Sequence, residues 1–239
     1  MPYKLPFFEK YTLDYNQLFQ EIRENSHNTL FSQNKTTDLY IRTFLNLMQQ
    51  ADIKMGQAFL DTAIEKELRS YYFENQVFQQ PIHFSKQDIF LHFRVSEILT
   101  LLNEEETDIS VNIPTTHFLG EYAKYHWSTP DNQFCSTSNS VPVIAVPYLW
   151  GYQDWLVIDG NHRIQKALKT ATTIPVAHVD ANALIDLELF ASDFEKFFYI
   201  FHCDSCILAN LKRDYSLSDE ELLERSYIKT LKLNFAGML

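Results

Sequence analysis

The clearest pattern in the chain is a short apolar run, then a polar turn, then a stretch with helical spacing. The run covers 155–158 and is rich in apolar and β-branched residues, which predicts a buried strand. Gly160 permits a tight turn after it, because glycine adopts positive φ at no steric cost. The next residues predict a helix that begins near position 161 and carries His162 and Arg163 in its first turn. We therefore expect a strand, a turn and a helix in direct succession.

Apolar residues at spacings of three and four dominate both ends of the chain, as is typical of helices. In the N-terminal part we expect a helix capped by residues 36–38 and further helices over 57–69 and 88–102. In the C-terminal part we expect one long helix, and then a final helix preceded by a capping box of Ser218 and Glu221. The apolar faces consist of Tyr40, Phe44, Leu47 and Met48 in the first helix, and of Leu187, Phe190, Phe194, Phe197 and Phe201 in the long one. Such faces predict core packing.

Residues 107–182 differ from both ends, since they hold five of the eight prolines and several β-branched runs. This change of composition predicts an α+β fold in three parts. We expect a helical N-terminal region at 1–106, a core of helices and strands at 107–182, and a helical C-terminal region at 183–239 that packs on the core.

The charge of the chain narrows the class of partner. Its 239 residues carry a formal net charge of −11, and no run of lysines and arginines interrupts the acidic background. Binding to nucleic acid depends on cationic contacts to phosphates, so we do not expect a nucleic-acid partner. Binding through a local basic groove remains the alternative. Three unevenly spaced cysteines do not indicate a disulfide framework. Neither a signal peptide nor a membrane span is expected, and we interpret the chain as cytoplasmic.

The two basic residues at the start of the predicted helix are unusual, because a helix N-terminus carries partial positive charge and favours anions. An anion held by free backbone N–H groups, His162 and Arg163 would explain them. Alternatively, Arg163 pairs with Asp159 across the turn, and Asp159 caps the helix. The spacing leaves both interpretations open.

The residues around this turn resemble the ParB/sulfiredoxin superfamily. The family pattern of a glycine, a His-Arg pair and a later alanine is present as Gly160, His162, Arg163 and Ala167, and the flanking runs at 140–146 and 173–179 resemble the family's neighbouring strands. The resemblance covers about forty residues; the run at 109–114 resembles the family's first strand more weakly. It implies an α+β fold with a small, mixed ParB/sulfiredoxin-like sheet at 107–182 between the helical regions. It also implies that a turn of Gly160, Asn161, His162 and Arg163 holds the phosphates of ATP, ADP or CTP.

Departures from the family pattern restrict the activity. Asn161 occupies the position of the reactive cysteine of sulfiredoxins, so repair of sulfinic acids is not expected. Members that partition chromosomes carry a second phosphate motif of the Glu-Asn-x-x-Arg type and a basic DNA-reading helical region. Here the tripeptide 74–76 begins Glu-Asn but precedes the turn and lacks the arginine, and we interpret it as coincidence. The five residues 159–163 are most similar to members that resemble free-serine kinases.

Further residues are candidates for roles in catalysis or ligand binding. We expect Asp159 to hold Mg²⁺ beside the phosphates. Alternatively, Asp159 orients His162 or caps the helix. By resemblance, the element after the first strand faces the nucleotide, and we expect a helix there in which Glu121 is a general base and Lys124 a phosphate contact, with His126 nearby. The Cys-x-x-Cys at 203–206 and the aromatic hairpin at 148–155 are interpreted as structural, although the hairpin rings also suit stacking on a base.

Two functions of different class follow from these residues. The first is a nucleotide-binding enzyme, a phosphotransferase or nucleotide hydrolase, that acts on an unidentified small-molecule acceptor with catalytic residues Asp159, His162 and Glu121. The second is a non-catalytic protein that responds to nucleotides or associates with DNA.

Overall fold

A computed structural model describes residues 2–5, 9–26, 30–104, 110–130, 141–149 and 154–230. The strands are β1 (Tyr3–Lys4), β2 (Glu9–Lys10), β3 (Val77–His83), β4 (Asp88–Arg94), β5 (Ser110–Pro114), β6 (Tyr125–His126), β7 (Val143–Pro147), β8 (Trp155–Asp159) and β9 (Thr173–His178). The helices are α1 (Tyr15–Ser26), α2 (Asn34–Ala58), α3 (Thr62–Glu74), α4 (Val95–Glu104), α5 (Asn161–Thr170), α6 (Ala181–Asp186), α7 (Asp193–Tyr215), α8 (Asp219–Arg225) and α9 (Tyr227–Thr230), with a 3₁₀ turn at Thr115–Phe118. The fold is therefore mixed α and β, as the sequence predicts.

Within the described residues, the chain forms two compact units. The first contains 1–74, 79–92 and 190–239, and the second contains 75–78 and 93–189. The two helical ends of the chain thus belong to the same unit. The packing of the C-terminal region on the core stays a prediction. Helix α4 belongs to the second unit, and the predicted boundary at 106/107 lies outside the described residues.

The second unit is built on a five-stranded mixed sheet with the order β5-β9-β7-β8-β6. Strand β9 pairs antiparallel with β5 and parallel with β7, and β8 pairs antiparallel with β7 and parallel with β6. One apolar cluster joins this sheet to Ile164 and Ala167 of α5. Its other members are Phe118, Tyr125, Val143, Ala145, Val157, Ile174 and Val176, all of them buried. Burial of this apolar surface holds α5 against the sheet and fixes the turn that precedes it.

The predicted strand and helix on either side of Gly160 are present as β8 and α5. The runs at 109–114, 140–146 and 173–179 overlap β5, β7 and β9, and β7 extends one residue further, to Pro147. The helix expected after the first of these strands is absent. A short 3₁₀ turn is followed there by exposed residues and by the two-residue strand β6.

In the first unit, the predicted face of α2 is largely correct, since Tyr40, Phe44 and Met48 are fully buried. Leu47 is half-buried. The predicted helix over 57–69 is interrupted, because α2 ends at Ala58 and α3 begins at Thr62.

The prediction of a helix over 88–102 is wrong for its first half, which is strand β4 and pairs with β3. Ile89, Phe90, Leu91 and Phe93 of β4 are all buried, so both faces of the strand are covered. A strand with two buried faces lacks the alternation that identifies a strand in a sequence.

The long C-terminal helix begins later than predicted. Leu187 and Phe190 precede it, and Ser192 caps α7 by accepting a hydrogen bond from the backbone N–H of Glu195. Glu188 adopts a positive φ of 53°, which ends the preceding helix. The capping box of Ser218 and Glu221 is confirmed at the start of α8. No helix in the described part of the chain is both long and apolar enough to span a bilayer.

Candidate functional site

The turn between β8 and α5 leaves the start of the helix without a side-chain cap. Gly160 is the N-cap residue, its φ is +105°, and no side chain hydrogen-bonds the first turn. The first intrahelical bond runs from the N–H of Ile164 to the carbonyl of Gly160 at 3.0 Å. The N–H groups of residues 161–163 therefore have no partner inside the helix, and such groups bind anions. Asp159 does not cap the helix, which removes one of its predicted roles.

Glycine at position 160 is required by space as well as by its φ. A Cβ placed there would lie 2.8 Å from Cγ2 of Val143 and 2.9 Å from Nη2 of Arg163. Val143 is fully buried in the sheet and cannot move aside. The absence of a side chain thus lets the Arg163 guanidinium lie directly on the turn.

Arg163 forms an ion pair with Asp159, as the second of the two open interpretations predicts. Nη2 of Arg163 donates to Oδ2 of Asp159 at 2.6 Å, and the two side chains are 12% and 20% exposed. The other carboxylate oxygen, Oδ1, accepts from Nε2 of Gln76 at 3.0 Å. Both oxygens of Asp159 therefore have protein partners.

Gln76 is a site residue that the sequence does not reveal, and it belongs to the tripeptide that we interpreted as coincidence. Its backbone N–H donates to Oγ of Ser96, and its carbonyl accepts from the N–H of Ser96. These two bonds hold Gln76 at the start of α4 and direct its amide to Asp159. No sequence signal connects two residues that are 83 positions apart.

All five residues of the turn line one cleft of about 310 Å³. The other lining residues are Gln76, Val77, Phe78, Pro130 and Ile158. Two buried polar atoms at this turn, Oδ1 of Asn161 and Nε of Arg163, have no hydrogen-bond partner. Buried polar atoms without partners are uncommon in folded proteins. The cleft therefore combines helix N–H groups that have no partner inside the helix with a largely buried guanidinium.

The structure does not bring the two upstream candidates to this cleft. Glu121 is exposed in the turn after the 3₁₀ segment, and it is not a lining residue. Lys124 pairs with Asp154 at 3.2 Å, and its carbonyl accepts from the N–H of Trp155 at the start of β8. Asp159 is four residues further along that strand, so the two ends are about 13 Å apart. His126 also contacts Asp154, at 3.3 Å, at the far end of the strand.

The described residues contain no group of three or more histidine, cysteine, aspartate or glutamate side chains arranged for a metal. A nucleotide-bound Mg²⁺ needs as little as one carboxylate from the protein, with phosphates and water as its other ligands. Asp159 can supply that carboxylate if its pair with Arg163 opens. Asp159 can therefore bind Mg²⁺ only when a ligand takes its place at Arg163.

Among the described residues, none from the two motifs that are interpreted as structural lines the cleft. Cys203 and Cys206 are free thiols within α7, and burial raises the pKa of Cys203 to about 12, so its thiolate is disfavoured. In the aromatic hairpin, Tyr148 stacks on His126 at 4.1 Å between ring centroids, and Trp155 lies 4.3 Å from the ring of His178. Trp150, Tyr152 and Cys135 lie outside the described residues.

No protein-family model, curated protein sequence or solved structure matches the chain.

Proposed function

We propose that the chain binds a nucleotide by its phosphates at the N-terminus of α5 and uses it as a phosphotransferase or nucleotide hydrolase. One observation carries the proposal: the uncapped first turn of α5 lines a cleft together with Arg163, whose guanidinium lies against Gly160. The proposal includes a ParB/sulfiredoxin-like assignment for the core at 107–182, which rests on the resemblance of the residues around the turn.

The charge distribution supports an anionic ligand. Helix α5 contains His162, Arg163, Lys166 and Lys169 and has no acidic residue among its ten positions. The chain as a whole carries 31 acidic and 20 basic residues, so this helix is a local positive element on an acidic protein. A small anion can reach such a site, whereas a long polyanion meets repulsion from the surrounding surface.

The ion pair suggests how a phosphate would enter. A phosphate oxygen would replace Oδ2 of Asp159 at Nη2 of Arg163, and the helix N–H groups would bind further oxygens. Asp159 would stay attached to Gln76 through Oδ1 and would expose its other oxygen. That oxygen is then free to accept a proton from an acceptor hydroxyl or to ligate Mg²⁺, which when bound would offset the charge of the phosphates. His162, which lines the cleft, would donate to a phosphate oxygen.

The alternative is a non-catalytic protein that binds nucleotides through the same turn. It is favoured by the engagement of both Asp159 oxygens and by the position of Glu121 outside the cleft lining. On this alternative, the nucleotide would displace Asp159 and change the state of the turn without any reaction.

Thermal unfolding in the presence of ligands separates these functions. We expect ATP, ADP or CTP to raise the unfolding temperature, and adenosine, which has no phosphate, to leave it unchanged. At a ligand concentration about 100 times the Kd, the stabilisation is about 2.7 kcal/mol. The same samples, with and without Mg²⁺, are then assayed for release of inorganic phosphate and for transfer to small hydroxyl compounds. A shift without turnover identifies the non-catalytic alternative, and no shift with any of these nucleotides or with GTP contradicts both functions.

A further inference from the structure

The ion pair of Asp159 and Arg163 is made by one hydrogen bond, although the two groups can share two. A guanidinium and a carboxylate frequently pair through two parallel N–H···O bonds, which is the stronger arrangement. Here Nη2 of Arg163 donates to Oδ2 of Asp159 at 2.6 Å. Among the described residues, Nε of Arg163 is buried and has no hydrogen-bond partner. The pair therefore lacks the second bond that its chemistry allows.

Gln76 occupies the carboxylate oxygen that a second bond would need. Its Nε2 donates to Oδ1 of Asp159 at 3.0 Å. The backbone of Gln76 is itself held by Ser96, since its N–H donates to Oγ of Ser96 at 2.7 Å and its carbonyl accepts from the N–H of Ser96 at 3.1 Å. Gln76 thus holds Oδ1 from a fixed point of the backbone.

The edge of the guanidinium that carries Nε and Nη2 is the edge that lies on the turn. A Cβ placed on Gly160 would lie 3.1 Å from Nε and 2.9 Å from Nη2 of Arg163. A phosphate at the first N–H groups of α5 would therefore meet this edge, where it has to displace Asp159. One hydrogen bond is displaced at a lower cost in free energy than two parallel ones.

We propose that Gln76 is a positioning residue that keeps Asp159 from forming a two-bond pair with Arg163, so that a phosphate can displace the carboxylate. Without the Gln76 amide, Oδ1 of Asp159 is released and accepts a hydrogen bond from Nε of Arg163. A phosphate then has to break two bonds to the guanidinium instead of one. The benefit to a phosphate rests on the proposed function, whereas the effect on the ion pair needs no ligand.

The first test follows the Nε–H signal of Arg163 in NMR spectra of the ligand-free protein, where the signal is assigned by its absence from Arg163→Lys. In Gln76→Ala we expect this signal to move downfield and its proton to exchange more slowly with water, because Nε gains a carboxylate acceptor. In an Asp159→Ala background, which has no carboxylate, Gln76→Ala should leave the signal unchanged. The same spectra show whether each variant is folded. An unchanged Nε–H signal in the single variant Gln76→Ala would overturn the proposal.

The second test is calorimetric titration with inorganic phosphate. We expect Gln76→Ala to bind phosphate about twofold to tenfold more weakly than the wild type, as for one additional hydrogen bond that has to be broken. In the Asp159→Ala background the same substitution should leave the affinity unchanged, because Gln76 acts through Asp159. Equal losses in both backgrounds would show that Gln76 binds phosphate directly and would overturn the proposal, as would an unchanged affinity in Gln76→Ala alone. If the wild type does not bind phosphate, the proposed function is contradicted, and the Nε–H signal still decides whether Gln76 restricts the ion pair.

Discussion

Replacement of Gly160 by alanine probes the geometry on which the cleft depends. The φ of +105° is unfavourable for any L side chain, at a cost of about 1–2 kcal/mol. The new Cβ would also lie 2.8 Å from the buried Val143 Cγ2 and 2.9 Å from Arg163 Nη2. Such overpacking costs about 1–3 kcal/mol, so the total loss of unfolding free energy should be about 2–5 kcal/mol.

Gly120 provides a matched control in the same unit. Its φ is +79°, and a Cβ placed there would have nothing within 4 Å. Gly120→Ala should therefore show the backbone cost alone, about 1–2 kcal/mol. The difference between the two variants measures the steric contact with Val143 and Arg163.

Tryptophan fluorescence during thermal unfolding is a suitable assay, since Trp127 and Trp155 both belong to the second unit and the third tryptophan lies outside the described residues. For a chain of this size, each kcal/mol lowers the midpoint by about 2–4 °C. We expect a drop of about 2–8 °C for Gly120→Ala and a clearly larger one for Gly160→Ala. Equal midpoints for the two variants would refute the close contact around Gly160.

Three further predictions follow from other contacts. Asp159→Asn removes the negative charge that competes with a phosphate for Arg163. In calorimetry without Mg²⁺, inorganic phosphate should therefore bind about threefold to tenfold more tightly. Weaker binding would show that Asp159 and phosphate do not compete for Arg163. Ser218→Ala removes the capping box of α8 and should cost about 0.5–2 kcal/mol in urea unfolding, whereas no change would show that the cap is unimportant. Burial raises the pKa of Asp204, so protonation of this group in the folded protein contributes stability at low pH that is lost as the pH rises through the raised pKa. Asp204→Asn should therefore gain stability relative to the wild type as the pH rises above the ordinary pKa of an aspartate, about 4, and parallel curves would contradict this.

Local features of the fold could be predicted from the sequence, and contacts between distant segments could not. The run at 155–158 and Gly160 specify β8 and the turn because each depends on neighbouring residues alone. The sequence does not predict strand β4, because both faces of this strand are buried and the alternating pattern is therefore absent. The predicted start of α7 is wrong, because the apolar spacing of the helix continues backwards through Leu187 and Phe190, which precede it.

The same distinction holds for the site. The ion pair joins Asp159 and Arg163, which are four positions apart, and it is one of the two interpretations that the sequence leaves open. The sequence could not predict that Gln76 belongs to the site, since its contact with Asp159 depends on the hydrogen bonds between Gln76 and Ser96. Glu121 and Lys124 were assigned from a predicted helix that does not form, so their expected orientation towards the cleft had no structural basis.

Calorimetric titration of Arg163→Lys with whichever nucleotide stabilises the wild type tests the central claim most directly. A lysine keeps the charge but cannot reproduce the planar fork of the guanidinium. Loss of a bidentate charged contact costs about 1.5–3 kcal/mol, so we expect affinity to fall roughly ten- to a hundredfold while the protein stays folded. Lys169→Gln, on the same helix, should leave the affinity unchanged. If Arg163→Lys binds the nucleotide as tightly as the wild type, Arg163 is only the partner of Asp159 and the phosphate site at α5 is contradicted.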